Sequence, residues 1–358
     1  MAHPSLKLYN SLSRQVELFE PLETNKVKLY VCGPTVYDDP HLGHARCYLT
    51  WDVLYRLLLF LGYDVHYVRN LTDVDDKILN RALERGVSAE VVTNENIKSF
   101  HDGMSGLNLL SPTTEPRATS YVSDMVTFIE TLIQKGFAYA TPDGDVYYDS
   151  SKKDDYGKLC QQPLDDLQAG ARVQVDEHKR SPLDFVLWKH AKPDEVLKWP
   201  SPWGDQNKEG RPGWHIECST MIHEVLGAQI DIHAGGCDLI FPHHENEIAQ
   251  SEAFTGLSPF VKYWMHNGFV NVSGEKMSKS LGNFTTLPSI LTQYEADTIR
   301  YFVLTNHYRM PVDFNDEALK GEWEGYRSSR LGIKWRVIYF RQDQHLEVYV
   351  IEITPHKY

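Results

Sequence analysis

The feature that most constrains the fold is a strand–turn–helix–strand run near the N-terminus. Lys26 to Cys32 (KVKLYVC) is β-branched and aromatic, which predicts a buried strand. Gly33 and Pro34 break it, and a loop carries the chain to His44. From Ala45 to Leu61 the residues Leu49, Val53, Leu57 and Leu61 recur about once per helical turn, and Gly62 stands where a helix C-terminal glycine belongs. Asp64 to Asn70 (DVHYVRN) predicts the next strand. Strand, glycine-containing turn, helix and strand together start a parallel α/β sheet, which binds ligands at the carboxyl ends of its strands.

The pattern changes near Ser111. Tyr121 to Lys135 predicts a helix stopped by Gly136, and Phe137 to Tyr148 a hairpin turning at Pro142-Asp143-Gly144. Residues 150–180 are polar and irregular, and 193–213 are rich in Pro, Gly and Trp. The α/β character returns with a helix at 214–226, a strand at 229–233, a glycine turn at 234–236 and a helix at 242–254. A strand at 262–266, a hairpin at 268–276 and helices over 288–304 follow. These pieces predict one sheet split by an insertion: residues 1–111 as its first half, 112–212 as an inserted connective module and 213–296 as its second half.

The bulk composition bounds what such a chain does. With 358 residues, 42% hydrophobic and 24% charged, it has the makeup of a globular protein of two or three domains. The most apolar stretch, Leu54 to Leu61, is broken by Arg56, so no membrane span is expected. Met1 to Asn10 lacks a signal-peptide core, and a cytoplasmic location is the expectation. A net charge of −13 argues against a wholly basic surface but permits a local nucleic-acid face. Cys32, Cys47, Cys160, Cys218 and Cys237 are an odd set, for which metal binding or burial is expected rather than disulfides.

Two motifs bear on phosphate chemistry. His41-Leu42-Gly43-His44 opens the first helix, where unpaired N–H groups and the helix dipole attract anions. Gly43 leaves room for a nucleotide to approach the backbone. Lys276-Met277-Ser278-Lys279-Ser280 follows a strand-like segment and is trailed by Leu281-Gly282-Asn283, which suits a clamp over a polyanion. Each alone also fits an ordinary solvated cap or loop. As a pair, at opposite ends of a split α/β unit, they resemble the signature pair of class I aminoacyl-tRNA synthetases, whose halves form a Rossmann-like nucleotide fold. The resemblance implies that His41 and His44 stabilise the α-phosphate of ATP while Lys276 and Lys279 neutralise the departing pyrophosphate. It also implies ATP contacts from Gly43 and Ser278, with Mg²⁺ accompanying the nucleotide.

A second constellation bears on the acid that is activated. Cys32 ends the first strand, Cys218 lies on the helix after Gly213, and His243 and Glu247 are four apart on a predicted helix face. Two thiolates, an imidazole and a carboxylate would fill a tetrahedral zinc site, with Zn–S near ~2.3 Å. On spacing alone the two cysteines also fit simple burial, and His244 could replace His243. The surrounding words VCGPTVYDDPHLGHAR (31–46), NLTDVDDKI (70–78), GWHIECS (213–219), DIHAGGCDLIFPHHENEIAQSE (231–252) and MHNGFVNVSGEKMSKSLGNF (265–284) resemble the cysteinyl-tRNA synthetase family block by block. That resemblance implies one zinc ion on Cys32, Cys218, His243 and Glu247, which the thiolate of substrate L-cysteine joins. It implies pocket roles for Thr72 and Trp214, ATP contacts from Gly235, Gly236 and Asp238, and transfer of cysteine to the acceptor end of its tRNA in protein biosynthesis. Ala234 departs from the family's usual glycine and is expected to add a methyl beside the nucleotide path. Cys47, Cys160 and Cys237 match no ligand position, and burial is expected for each.

Two rival readings are a mycothiol-pathway ligase joining cysteine to a glucosaminyl inositol, and a silent tRNA-binding paralogue. The run from His243 to Glu247 and the Thr35-Val36-Tyr37 segment favour the synthetase over the first; the intact motifs weigh against the second. The resemblance runs from about Leu6 to about Arg330, with 297–330 expected as the start of a helical stem-contact region. Trp335 to Tyr358 (WRVIYFRQDQHLEVYVIEITPHKY) is strand-like where the family has helices. Residues 331–358 are therefore expected to be an atypical tail without a partner sheet, the helical anticodon-binding domain to be absent and tRNA transfer to be impaired. A monomer is expected.

Overall fold

The computed structural model describes residues 5–162, 178–192, 195–205, 208–272, 275–276, 285–314, 317–318, 327–331, 335–342 and 347–355. Its centre is a parallel sheet of strands β1 (Lys26–Val31), β2 (Asp64–Arg69), β3 (Ile230–Gly236) and β4 (Val261–Asn267). The spatial order is β4-β3-β1-β2, with Ala234 opposite Val31 and Gly236 opposite Asn267. From β1 the chain moves outward to β2, and from β3 it moves outward the other way to β4. The strand order therefore reverses between β1 and β3, and a crevice opens beyond their carboxyl ends.

Side-chain alternation divides the core into two layers. Val27, Leu29, Val31, Ile232 and Ala234 face helix α1 (Leu42–Phe60) and belong to one buried cluster. Helices α2 (Asp76–Arg85) and α3 (Ala89–Gly106) complete that side. Tyr30 and Cys32 point the opposite way, where α5 (Trp214–Leu226) and α6 (Glu245–Thr255) pack through Cys218, Ile222 and Ile248. From Leu29 to Cys32 the strand is buried on both faces, which is why those four residues read as an apolar run.

Between the two halves, α4 (Val122–Gln134) leads into a five-stranded antiparallel sheet built from Ala138–Ala140, Val146–Tyr148, Phe185–His190, Glu209–Pro212 and Trp199–Pro200. Its seam to the parallel-sheet unit is polar. Lys189 bonds Asp76 at the start of α2 at 3.0 Å, and the buried Arg211 pairs with the same carboxylate. Further along, the Glu245 carboxylate on α6 accepts the N–H groups of Gly157, Leu159 and Cys160 at 2.9–3.1 Å. Lys153 and Lys158 close on Glu252 at 2.8 and 2.7 Å.

Beyond β4, β5 (Val270–Val272) pairs antiparallel with β6 (Glu275–Lys276) and parallel with β7 (Val312–Phe314). Helix α7 (Ala296–Leu304) lies between them in sequence. Three expectations change here. Residues 234–236 are not a turn: they extend β3, paired with Met265, His266 and Asn267. The helical segment expected over 297–330 stops at Leu304, and strands follow. The tail expected to lack a partner sheet pairs with itself: Glu317–Ala318, Arg327–Leu331, Trp335–Gln342 and Glu347–Pro355 form an antiparallel meander. Its β-branched content satisfies backbone groups between local neighbours, so no outside sheet is required.

Candidate active site and metal centre

The crevice at the switch point is a cleft of about 380 Å³. Cys32, His41, Gly43, His44, Gly236, Asp238 and Trp214 all line it, so these sequence-predicted residues converge from four separate segments. A larger groove of about 820 Å³ lies between α2, α3 and the inserted sheet, lined by none of the histidine-turn or cysteine-cluster residues.

The histidine turn is built by its own capping. His41 is the N-cap of α1, and its Nδ1 accepts the His44 N–H at 3.3 Å. His44 Nδ1 accepts the His41 N–H in return at 3.2 Å, and the rings stack 3.8 Å apart. This reciprocal box fixes both tautomers: Nδ1 is the acceptor in each ring, so Nε2 carries the proton and is the donor. Two N–H donors then sit at the positive end of a 19-residue helix. Across the cleft, β5 and β6 place the backbone of Lys276 opposite Asn271. The Lys276 side chain and Ser278 and Lys279 lie outside the described residues.

Beneath the cleft, four acidic or ligating side chains meet. The Cys32 Sγ is 4.0 Å from Cys218 Sγ and 3.8 Å from Glu247 Oε1, and His243 Nε2 is 3.0 Å from the same oxygen. All four residues are buried, and their ligand atoms lie within 4.8 Å of one another. Tetrahedral zinc bonds of ~2.0–2.3 Å place ligand atoms roughly 3.3–3.8 Å apart, so this donor set fits such an ion. A second group, Cys32, His233, His244 and Glu247, also lies within that range. There, however, His244 Nδ1 is bonded to His266 Nε2 at 2.8 Å and His233 Nε2 to the far oxygen of Glu247 at 2.9 Å. His244 Nε2 faces Cys32 Sγ at 3.3 Å, so the two groups share Cys32 and Glu247 and differ in whether Cys218 with His243 or His233 with His244 completes the set.

The electrostatics of the cluster are set by its own members. Contact with Cys32 pulls the Cys218 thiol down to about 6, against the effect of burial. Burial pushes the Cys32 thiol well up. Burial opposes both shifts in the next pair, yet Glu247 raises His243 to about 10 and His233 with His243 hold Glu247 down at about 2. Burial keeps His215 and His244 neutral and pulls His266 down to about 3. A run of neutral rings thus links the cluster outward, from His244 through His266 to Ser11 Oγ at 2.8 Å.

Other predicted residues stand one step back. Trp214, 39% exposed, stacks on His243 with ring centroids 4.2 Å apart. Thr72 is buried beneath the surface and donates to Glu217 Oε2 at 3.0 Å, while accepting from Asn70 at 3.2 Å. Burial pushes the Glu217 carboxyl well up. Gly235 serves the histidine layer instead of the cleft: a Cβ there would stand 3.2 Å from His244 Cε1. At Gly236 a Cβ would meet Asp238 Oδ1 at 2.4 Å, so the glycine lets that carboxylate fold back to the cleft. Ala234 is corrected: its methyl is fully buried in the α1-facing core, because alternation along β3 turns it away from the ligand face. Cys160 is buried as expected, but Cys47 and Cys237 are only half-buried, and Cys47 lines the cleft. None of the five cysteines is in a disulfide.

Sequence reasoning missed His233, His266, His215, Glu217 and Asn70 as members of this network. Each lies inside a word already singled out, but nothing local distinguishes a ligand from the group that orients it.

Residues 18–323 match the family model described as the catalytic domain of tRNA synthetases class I (C). A cysteine–tRNA ligase of Chromobacterium violaceum is 55% identical over 320 residues, covering 89% of this chain and 69% of that protein. This chain belongs to the cysteine–tRNA ligase family. Its counterpart in Geotalea uraniireducens is 55% identical over 315 residues, or 88% of this chain and 62% of that one. The chain thus spans about three fifths of the length of some curated members. Among solved structures, a Mycobacterium tuberculosis methionyl-tRNA synthetase bound to methionyl-adenylate superposes with a TM-score of 0.62 at 17% identity, covering 82% of this chain and 67% of that one. A putative arginyl-tRNA synthetase of Campylobacter jejuni gives 0.55 at 15% identity over 81% of this chain and 65% of that one. Both share the class I synthetase fold. No described helix is long and apolar enough to cross a membrane.

Proposed function

We propose that this chain activates L-cysteine with ATP to form cysteinyl-adenylate and pyrophosphate, with the acceptor end of the cysteine tRNA as the next acceptor. The observation that carries the reading is the buried Cys32–Cys218–His243–Glu247 cluster under a cleft whose rim is the reciprocally capped His41–His44 turn.

The substrate carboxylate attacks the α-phosphate, one oxygen–phosphorus bond forms and the bond to pyrophosphate breaks. His41 and His44 donate from Nε2 to oxygens that gain charge in that transition state, and the α1 dipole adds to the field. Lys276, Ser278 and Lys279 contact the leaving pyrophosphate, and Mg²⁺ accompanies ATP. Asp238 accepts from the ribose hydroxyls beside Gly236, and Gly43 admits the nucleotide. Trp214 and the Thr72–Glu217 pair bound the amino-acid side of the cleft.

Zinc fits the donor set better than calcium or magnesium, since two of four donors are sulfur. When bound, it would supply a soft acceptor that separates the cysteine thiolate from the serine hydroxyl, a distinction that pocket shape alone makes poorly. Relatives carrying the cysteine–tRNA ligase name at 55% identity weigh against the mycothiol-type alternative.

The test is cysteine-dependent ATP–pyrophosphate exchange with parallel metal analysis. Exchange that follows cysteine but not serine, with one zinc per chain, supports the reading. Exchange absent with cysteine, or equal with serine, would overturn it.

A further inference from the structure

Two residues beyond His44, the α1 side chain of Arg46 is 1% exposed and has no described carboxylate partner. Burial pulls its guanidinium down to about 10, still far above neutrality, so a full cation is held inside. Such a charge is costly to bury unless its donors are satisfied. Its two terminal nitrogens are satisfied by backbone alone, while Nε is buried without a described partner: Nη1 donates to the Val303 carbonyl at 2.5 Å, and Nη2 reaches those of His307, Tyr308 and Met310 at 3.0–3.2 Å. Val303 lies in the last turn of α7, whose carbonyls have no partner within the helix.

The same carbonyl segment backs the cleft residues Gly268 to Val270. The Tyr308 carbonyl accepts the Gly268 N–H at 2.8 Å as well as Arg46, and Val312 N–H bonds the Phe269 carbonyl at 2.9 Å. Contact is so close that a Cβ on Gly268 would stand 2.5 Å from the Met310 carbonyl. Gly268, Phe269 and Val270 line the cleft, and β5 continues from them into the hairpin that carries Lys276.

We propose that Arg46 is a positioning residue that sets the spacing between the two walls of the nucleotide cleft. Its stem is fixed on the helix that His41 and His44 cap, and its fork grips the loop that holds Gly268 to Val270. The planar fork matters, because a lysine ammonium cannot hold carbonyls splayed over eight residues of chain. The inference rests on the proposed ATP activation for its kinetic arm, and on geometry alone for its second arm.

The test compares Arg46→Lys and Arg46→Gln with Gly268→Ala, which disturbs the same contact from the other side. The first readout is amide hydrogen exchange, which needs no activity. Protection is expected to fall at least about tenfold over Phe269–Val272 and Val312–Phe314 while β2 keeps its protection. In pyrophosphate exchange, kcat/KM for ATP is expected to fall about 10²-fold, with KM for cysteine within about twofold and bound zinc unchanged. Unchanged protection of the wall in Arg46→Lys would overturn the proposal. So would a loss shared equally by β2 and by KM for cysteine, since that marks general destabilisation. If the wild-type chain gives no exchange, the activation reading fails, and the amide protection still decides the role of Arg46.

Discussion

Gly33→Ala is the substitution whose consequence the structure sets most sharply. A Cβ at Gly33 would lie 1.5 Å from the Asn70 carbonyl oxygen and 2.5 Å from its carbon, both rigid backbone atoms. Reaching even a 3.0 Å contact requires the ends of β1 and β2 to part by 1.5 Å, the difference of the two distances. That movement breaks the Gly33 N–H bond to Asn70 Oδ1, 2.7 Å long. Asn70 in turn holds Thr72, and through it Glu217, next to Cys218. Cys32 is the neighbouring residue, so the displacement enters the Cys32–Cys218–His243–Glu247 cluster directly. A shift of about 1 Å at reacting groups costs about 10²-fold, so kcat/KM in pyrophosphate exchange is expected to fall roughly 10²–10³-fold. Stability is expected to drop by about 2–4 kcal/mol from the lost bond and the overlap. Zinc affinity by chelator competition and urea unfolding give two readings independent of turnover. A variant that keeps zinc affinity and exchange within about twofold of wild type would refute the reasoning.

Lys279→Ala is expected to lower the exchange rate by about 10²–10³-fold with little change in cysteine binding, and an unaltered rate would remove that lysine from the pyrophosphate site. Cys218→Ser is expected to lose zinc on dialysis against a weak chelator and to melt at lower temperature, because a hydroxyl replaces a thiolate donor and the folded state loses the stabilisation that metal binding adds. Glu252→Gln tests the seam to the inserted module. Burial raises this carboxyl, but Lys153 and Lys158 outweigh it and hold it below its ordinary value. A depressed folded-state pKa stabilises above the unfolded value and is lost as pH falls through the folded one. Wild type is therefore expected to exceed the variant in urea stability at neutral pH, with the gap closing under acid; a gap that widened on acidification would contradict the pairing.

Much of the architecture was legible because local patterns encode elements. The β-branched run at 26–32, the helical repeat after His44 and the hairpin at 138–148 each carry their signal within a few residues, and all three form. Reading failed where a signal was ambiguous at short range. The glycines at 235 and 236 look like a turn, yet neighbours on both sides of β3 hold them in register. The region after Leu304 was assigned by resemblance, and its backbone follows its own strand propensity instead.

The sequence by itself determined that His41 and His44 would meet, because residues three apart at a helix start are neighbours, and that strands 26–32 and 64–70 would lie parallel. Only the tertiary structure brought the cysteines, histidines and Glu247 into one buried cluster, since Cys32 meets Cys218 across 186 residues and Glu247 across 215. It alone revealed the Arg46 fork, whose carbonyl partners lie about 260 residues away. Periodicity specifies which face of an element is buried, but a partner on another element is fixed only when strand order and packing bring the two faces together.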